Sequence, residues 1–395
     1  MTFFLGTGKS LVIHAMKSLI YESFGADALV LLGPTGVSAL NIGGSTIHSK
    51  LFIHPRSKEL IPLSGNALHE FRQKFAKTLF VIVDEYSMVG CKMLNILEKR
   101  LKEALDRDGE QFGDVFIYFF GDIQQLAPVG DSAAYSDNQV SLDYIDGKLM
   151  YESIEAAIVL SKVKRQNDTN FLNVLSNISS GNVTMDDYNL LKKRFTSSLT
   201  PQRRRDFNNA IRLFPTRIEV DAFNQQALES MKNPTTNQPM PIARIPAKHN
   251  CPDARLGTEN EAGSLKSVLY LSKGAKIMLR ANLWTEQGLV NGAIGTVVDI
   301  LYKDGDNPPD DAPTALVCKF GTYKGPYLND EKTVVIRTLS KQWKSKKGND
   351  CVREQFPISL CYACSIHKSQ GLTLDKVCFY VSKLTNHASK YWYFQ

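Results

Sequence analysis

Two short stretches of this 395-residue chain combine residue types that handle phosphate and metal. The first is Gly6-Thr7-Gly8-Lys9-Ser10. In such a loop backbone N–H groups surround phosphate oxygens, Lys9 reaches the β/γ-phosphates of a nucleotide, and Ser10 ligates magnesium. The full pattern wants a glycine five residues before Gly8, where this chain has Phe3. The second is Asp84-Glu85, directly after the apolar run Leu79-Phe80-Val81-Ile82-Val83. An acidic pair at a strand end suits magnesium: Asp84 can hold the ion through water while Glu85 polarises an attacking water. Each stretch alone has a plain reading, a chance helix start or a strand running out into a polar turn. Their co-occurrence favours phosphate binding.

These residues need a scaffold that brings strand ends together. In an open α/β sheet, ligands sit at the carboxyl ends of the strands. Phe3-Phe4-Leu5 reads as a strand end and residues 11–21 as the helix after the glycine turn. A second strand covers Ala28 to Leu32 and ends in Gly33-Pro34-Thr35-Gly36. Five apolar residues in a row make 79–83 a strand buried on both faces, in the middle of a parallel sheet. Residues 92–105 read as an amphipathic helix. Phe116 to Phe120 reads as another buried strand, running into Gly121-Asp122-Ile123-Gln124-Gln125-Leu126-Ala127-Pro128-Val129. Gln125 is placed there to sense a γ-phosphate, the alternative being a proline-stopped loop. Asn41 to Ser49, rich in glycine and hydroxyls, is either a plain loop or a close approach for a backbone phosphate.

A second α/β unit follows. Its signals are Lys162-Val163-Lys164-Arg165-Gln166, a helix around 171–178, a strand over 211–214, and Pro215-Thr216-Arg217 opening a helix to about 231. Arg165 is either a solvated arginine or one that reaches a nucleotide in a cleft. Residues 232–258 lack periodicity and read as a loop or linker. From about 265 to 358, short β runs alternate with glycine and Asp-Gly turns, the spacing of a small antiparallel barrel inserted in the second unit. Within it, Lys341-Gln342-Trp343-Lys344-Ser345-Lys346-Lys347 reads as a solvated lysine face, with base stacking by the tryptophan as the alternative. Residues 357–364 read as one last long apolar strand, leading into Ser365-Ile366-His367-Lys368-Ser369-Gln370-Gly371.

A net charge of +7 is compatible with a polyanionic partner. No apolar run approaches a membrane span, and the N-terminal residues do not form a signal peptide, so neither membrane insertion nor secretion is expected. Seven scattered cysteines point to reduced thiols. Cys361 and Cys364 have zinc-like spacing without a second pair, so buried thiols are expected.

Taken together, these segments resemble a superfamily-one DNA helicase of the PIF (petite integration frequency) type, kin to RecD-like enzymes. The likeness runs in order through Gly6–Ser10, Pro34–Gly36, Asn41–Ser49, Val83–Val89 and Gly121–Val129. It continues through Arg165-Gln166, Pro215–Arg217 with Asn224, Gly288-Leu289-Val290-Asn291-Gly292, and Ile366 to Leu374. It implies an α/β fold of two RecA-like P-loop NTPase domains, parallel sheets flanked by helices, with an SH3-like β-barrel inserted in the second. The implied limits are 1–158, then 159–264 with 359–395, and 265–358 for the insert.

The resemblance further implies ATP and Mg2+ as cofactors, with Gly6, Thr7, Gly8, Lys9 and Ser10 on the phosphates, Ser10 and Asp84 on the metal, and Glu85, Gln125 and Arg165 in catalysis. Thr35, His48, Thr216, Asn291, His367 and Ser369 fall in segments that contact DNA in the family. Single-stranded and forked duplex DNA are the implied partners of a monomer moving 5′ to 3′ in telomere maintenance, repair and recombination. The setting would be the nucleus or mitochondrion of a eukaryote, otherwise the cytoplasm. The family's closing Tyr-Val-Ala-x-Ser-Arg strand has no counterpart, since no arginine follows Arg353. With Phe3 at the other end, the expectation is a fragment or degenerate copy trimmed at both ends. An arginine finger contributes about 10³–10⁵ in rate, so weak turnover, or a remnant that binds single strands without unwinding, is the main rival. A small-molecule kinase leaves the second α/β unit unexplained.

Overall fold

The computed structural model describes residues 7–53, 60–136, 142–164, 168–306, 308, 311–328, 330–345, 348–370, 372, 374 and 376–379. The chain divides into two compact units, one running to Arg204 and the other starting at Arg205.

The first unit opens with α1 (Lys9–Phe24), β1 (Leu29–Gly33), α2 (Gly36–Ile42), β2 (Ser45–Thr46) and α3 (Ile47–Lys50). Then come α4 (Gly65–Phe75), β3 (Phe80–Val83), α5 (Cys91–Leu105), β4 (Phe116–Phe119) and α6 (Leu142–Glu152). The four strands are parallel in the order β2-β1-β3-β4. Strand alternation sorts their side chains between two cores. Leu29, Leu31 and Ile82 meet Ile13 and Ile20 of α1 and Ile42 of α2 on one face. Val30, Leu32, Val81 and Val83 meet Phe71 and Phe75 of α4 and Leu94, Leu97 and Leu101 of α5 on the other. Each such side chain, fully buried, contributes about 1.5–3 kcal/mol, so β3 is fixed from both sides, as its unbroken apolar run requires.

β4 departs from expectation. Phe116 is 64% exposed, because β4 closes the sheet order and pairs with β3 alone among the described residues. Part of the glycine-rich 41–49 segment is an edge strand, with Ser45 and Thr46 paired to Leu32 and Gly33. Three helices follow: α7 (Thr169–Ser180), α8 (Met185–Lys192) and α9 (Pro201–Arg205).

The second unit begins with β5 (Ile211–Phe214), α10 (Arg217–Glu229), β6 (Ala243–Pro246), β7 (Lys248–His249), α11 (Pro252–Leu256) and β8 (Val268–Leu271). It continues through β9 (Lys276–Leu279), β10 (Ile294–Leu301), β11 (Ala315–Phe320), β12 (Val334–Ile336), β13 (Leu339–Lys344) and β14 (Asp350–Gln355). β15 (Ile358–Leu360), β16 (Ala363–Ser365), α12 (Ile366–Ser369) and β17 (Val377–Phe379) complete it. A parallel sheet β16-β5-β17 stands beside antiparallel sheets β12-β11-β10-β9-β15, β13-β14-β7 and β6-β8.

Three readings need correction here. Residues 232–258 are not a linker: β6 pairs with β8, His249 of β7 pairs with Arg353 of β14, and α11 follows. Strands this short show no periodicity of their own, and distant partners supply their order. The apolar run 357–364 is two strands in two sheets, β15 antiparallel to β9 and β16 parallel to β5. Asn224 of α10 holds the crossing point. Its Oδ1 accepts from Tyr362 N–H at 2.8 Å and Ala363 N–H at 2.9 Å, and its Nδ2 donates to Ala363 O at 3.1 Å. Finally, Trp343 is only 9% exposed, in a cluster with Ala254, Leu265 and Cys351, so its ring is no base-stacking platform. The strand's alternation turns Trp343 inward and leaves Lys344 exposed. Cys361 and Cys364 lie in the core between Ile211, Leu213 and Met278; burial pushes both thiols up, that of Cys364 to about 12.

Candidate nucleotide site and nucleic-acid contacts

The glycine turn ends at Gly8, which caps α1 with φ 94°, a left-handed conformation that side-chain-bearing residues rarely adopt. The N–H groups of Leu11 and Val12 return to Gly8 O at 3.0 and 3.2 Å. No acidic residue occupies the first turn of this 16-residue helix, so its positive end is not neutralised from within. Thr7, Lys9 and Ser10 sit there, while Gly6 lies outside the described residues.

Parallel strands put all their carboxyl ends on one edge of the sheet. Asp84 and Glu85 follow β3 there, and Asp84 N–H donates to Leu32 O at 2.9 Å. Asp84 is 5% exposed. Burial raises its carboxyl above the usual range, opposed by the Glu85 backbone amide and by the charge of Lys9. The ammonium of the glycine loop therefore acts on the first carboxylate of the acidic pair. Glu85 itself has φ 50°, a strained conformation for a glutamate and one that clusters at functional sites.

The turn after β4 locks onto this one. Tyr86 N–H donates to Phe120 O at 2.9 Å, and a Cβ on Gly121 would stand 2.9 Å from Tyr86 N, so only glycine fits. Next comes Asp122, 2% exposed, whose carboxylate accepts from Gln124 N–H at 3.1 Å and Gln125 Nε2 at 3.3 Å. Gln125 is thus held by a buried acid that sequence reasoning passed over. Arg165 lies outside the described residues.

Of the residues assigned to DNA by resemblance, Thr35 and Thr216 occupy equivalent junctions, each capping the helix after a strand. Thr35 Oγ1 accepts from Ser38 N–H at 3.1 Å. Thr216 Oγ1 accepts from Glu219 N–H at 3.3 Å and donates to Glu219 Oε2 at 2.6 Å. Capping alone accounts for both hydroxyls. His48, half-buried in α3, has its imidazole pulled below 6.5 by burial. Ser369 ends α12 with its hydroxyl donating to Ile366 O at 2.8 Å, at the same sheet edge as Thr216. The side chain of His367 is outside the described residues. Asn291 is elsewhere, exposed in the turn between β9 and β10, where its N–H donates to Asn282 Oδ1 at 2.8 Å.

A cavity of about 260 Å³ opens in the second unit, lined in part by Arg217, Lys266, Arg280, Ser365 and Lys368. Asp221 and Glu259 also line it, and Lys266 holds them at 3.1 and 3.5 Å. Burial keeps the Arg280 guanidinium below its ordinary value against the pull of Glu259. This basin has no local sequence signature, since its cations Arg217, Lys266, Arg280 and Lys368 come from four separate stretches of the chain.

A family model for PIF1-like helicases matches residues 1–189. The PIF1 DNA helicase of Xenopus laevis is 28% identical over 394 residues, covering 98% of this chain and 55% of that protein. The human PIF1 helicase is 27% identical, covering 94% of this chain and 52% of that protein. The chain is similar to the PIF1-like helicases. It spans about half the length of these curated PIF1 relatives. The crystal structure of Pif1 helicase from Candida albicans matches with a TM-score of 0.70 at 25% identity, over 99% of this chain and 86% of that one. A Bacteroides Pif1 shares the fold, with a TM-score of 0.66 at 24% identity over 96% of this chain and 82% of that one. The α/β class with RecA-like parallel sheets is therefore that of the Pif1 helicases. Among the described residues no helix is long and apolar enough to cross a membrane.

Proposed function

We propose that this chain is the motor of an ATP-dependent DNA helicase, binding ATP with magnesium, hydrolysing it in response to single-stranded DNA and moving 5′ to 3′ to separate forked duplexes. Its curated relatives carry the name ATP-dependent DNA helicase. The observation that carries the reading is the buried Asp84 at the carboxyl end of β3, whose carboxyl feels the charge of Lys9 at the positive end of α1. In this reading Gly6, Thr7, Gly8 and Lys9 hold the phosphates, and Glu85 takes the proton of the attacking water. Gln125 orients the γ-phosphate, and Arg165 supplies positive charge to it. The working domains are 1–158, 159–264 with 359–395, and the insert 265–358.

Magnesium fits the donors present. Ser10 and Asp84 are hard oxygen ligands, and a carboxylate buried at the cost of its hydration gains from a divalent cation. The ion would neutralise charge developing on the phosphates. Thr35, His48, Thr216, Asn291, His367 and Ser369 would follow the DNA strand, with the Arg280 basin taking one of its phosphates. Action as a monomer in telomere maintenance, repair and recombination, in the nucleus or mitochondrion of a eukaryote, completes the proposal.

A fluorescent ATP analogue tests the nucleotide half: binding that requires magnesium and is lost in Lys9→Ala supports it, and binding indifferent to both contradicts it. Strand separation on a forked duplex, with ATP and a 5′ tail, tests the motor half.

A further inference from the structure

Cys251 and Cys351 lie 100 residues apart in sequence with their sulfurs 3.9 Å apart. The approach is built into the ladder. His249 pairs with Arg353, and one step on Asn250 N–H donates to Val352 O at 3.3 Å while Val352 N–H donates to Asn250 Oδ1 at 2.7 Å. Asn250 Nδ2 also donates to Asp350 O at 2.9 Å. The paired strand residues end at His249, and two residues beyond it Cys251 comes against Cys351 of β14. Disulfides join cysteines whose Cα atoms lie about 4.4–6.8 Å apart, and positions just past the end of an antiparallel pair fall near the roughly 4.5–5.5 Å spacing of the ladder. The two sulfurs differ in access: Cys251 is partly exposed, Cys351 fully buried.

We propose that Cys251 and Cys351 are a reversible oxidation site, closing to a disulfide when a peroxide reaches Cys251. The Cys251 thiolate attacks the peroxide; one oxygen stays on sulfur as a sulfenic acid and the other leaves as water, taking up protons. The Cys351 sulfur then attacks the sulfenic sulfur, the S–S bond forms, and a second water departs carrying the Cys351 proton. Two thiols lose two electrons in all and one peroxide gains them, and a dithiol reductant reverses the step. Intracellular disulfides of this kind are transient and redox-sensing. The bond would tie the start of α11 to β14, next to Arg353, whose guanidinium already donates to Ala254 O at 3.0 Å and to Gly257 O at 2.6 Å. Glu259 and Lys266, which line the Arg280 basin, follow shortly along the chain. Oxidation would therefore stiffen one wall of that basin without displacing any strand.

The test uses the whole purified chain treated with hydrogen peroxide under native conditions, then alkylated, digested without reductant and read by mass spectrometry. The proposal expects a linked Cys251–Cys351 peptide, free thiols falling from seven to five, a raised melting temperature, and full reversal by dithiothreitol. Cys251→Ser, at the partly exposed member, should fold normally and abolish both the link and the thermal shift. Cys351→Ala, should it fold, must leave Cys251 as a stable sulfenic acid trapped by dimedone. Linkage of other cysteines first, overoxidation of Cys251 without linkage, or a linked form that melts lower would each overturn the proposal.

Discussion

The side-chain amide of Gln125 donates to Asp122 Oδ2 at 3.3 Å, and neither residue is more than 6% exposed. Because Asp122 also accepts the Gln124 amide, it sets the conformation of the whole turn after β4. If Gln125 contacts the γ-phosphate, Gln125→Ala should lower kcat for ATP by about 10²-fold, the usual loss of one oriented donor. Asp122→Ala should lower it by a similar order through misplacement alone, with single-strand affinity retained. Steady-state kinetics and fluorescence anisotropy on the same preparations check both.

Asp84 should be a place where function costs stability. Its folded carboxyl is raised by burial, so the stabilising contribution of the protonated form is complete below the ordinary carboxylate range and lost as pH rises through the folded value. At neutral pH the charged group is therefore a burden when no cation is bound. Asp84→Asn should stabilise the nucleotide-free protein, on the order of 1 kcal/mol, while reducing magnesium-dependent turnover. Denaturant midpoints and ATPase rates measured together decide it.

His249 gives an acid-side prediction. Its Nε2 accepts from Arg353 Nε at 3.0 Å, which requires the neutral ring, and burial followed by the Arg353 charge pulls its imidazole below 6.5. Stability from this contact is present above the unfolded value and is lost as pH falls from about 6.5 through the folded value. Melting temperature should fall over that window, and less so in His249→Asn. Arg353→Met, which strands the buried carbonyls of Leu265 and Ala254, should cost about 3 kcal/mol or more.

Arg280 should act through phosphate. Each phosphate contact to a single strand contributes about 0.7 to the slope of log affinity against log salt. Arg280→Gln should lower that slope by about this amount for every sequence tested, leaving magnesium-dependent nucleotide binding unchanged. An unaltered slope would remove the basin from the DNA path.

What could be read from sequence were features that local pattern dictates. The strand at 80–83, the helix behind Lys9 and the helix opened by Pro215-Thr216-Arg217 each follow from a run or a spacing. Long-range pairing stayed hidden. Nothing in Lys248-His249 announces a strand, because its order comes from Arg353, and the break at Cys361-Tyr362 is imposed by Asn224 from α10. Trp343 looked outward because Lys341, Lys344, Lys346 and Lys347 around it masked the strand alternation. Phe116 looked buried because apolar character does not report whether a strand has a neighbour on its second edge.

The account stands on a nucleotide gripped from Lys9 and a water activated by Glu85. Its most direct test is the initial rate of ATP hydrolysis by the purified chain and by Glu85→Gln, with and without single-stranded DNA. The account predicts turnover that rises with DNA in the parent chain and falls at least 10²-fold in the variant, which should still bind nucleotide. Hydrolysis indifferent to DNA, or equal in the two proteins, would contradict it.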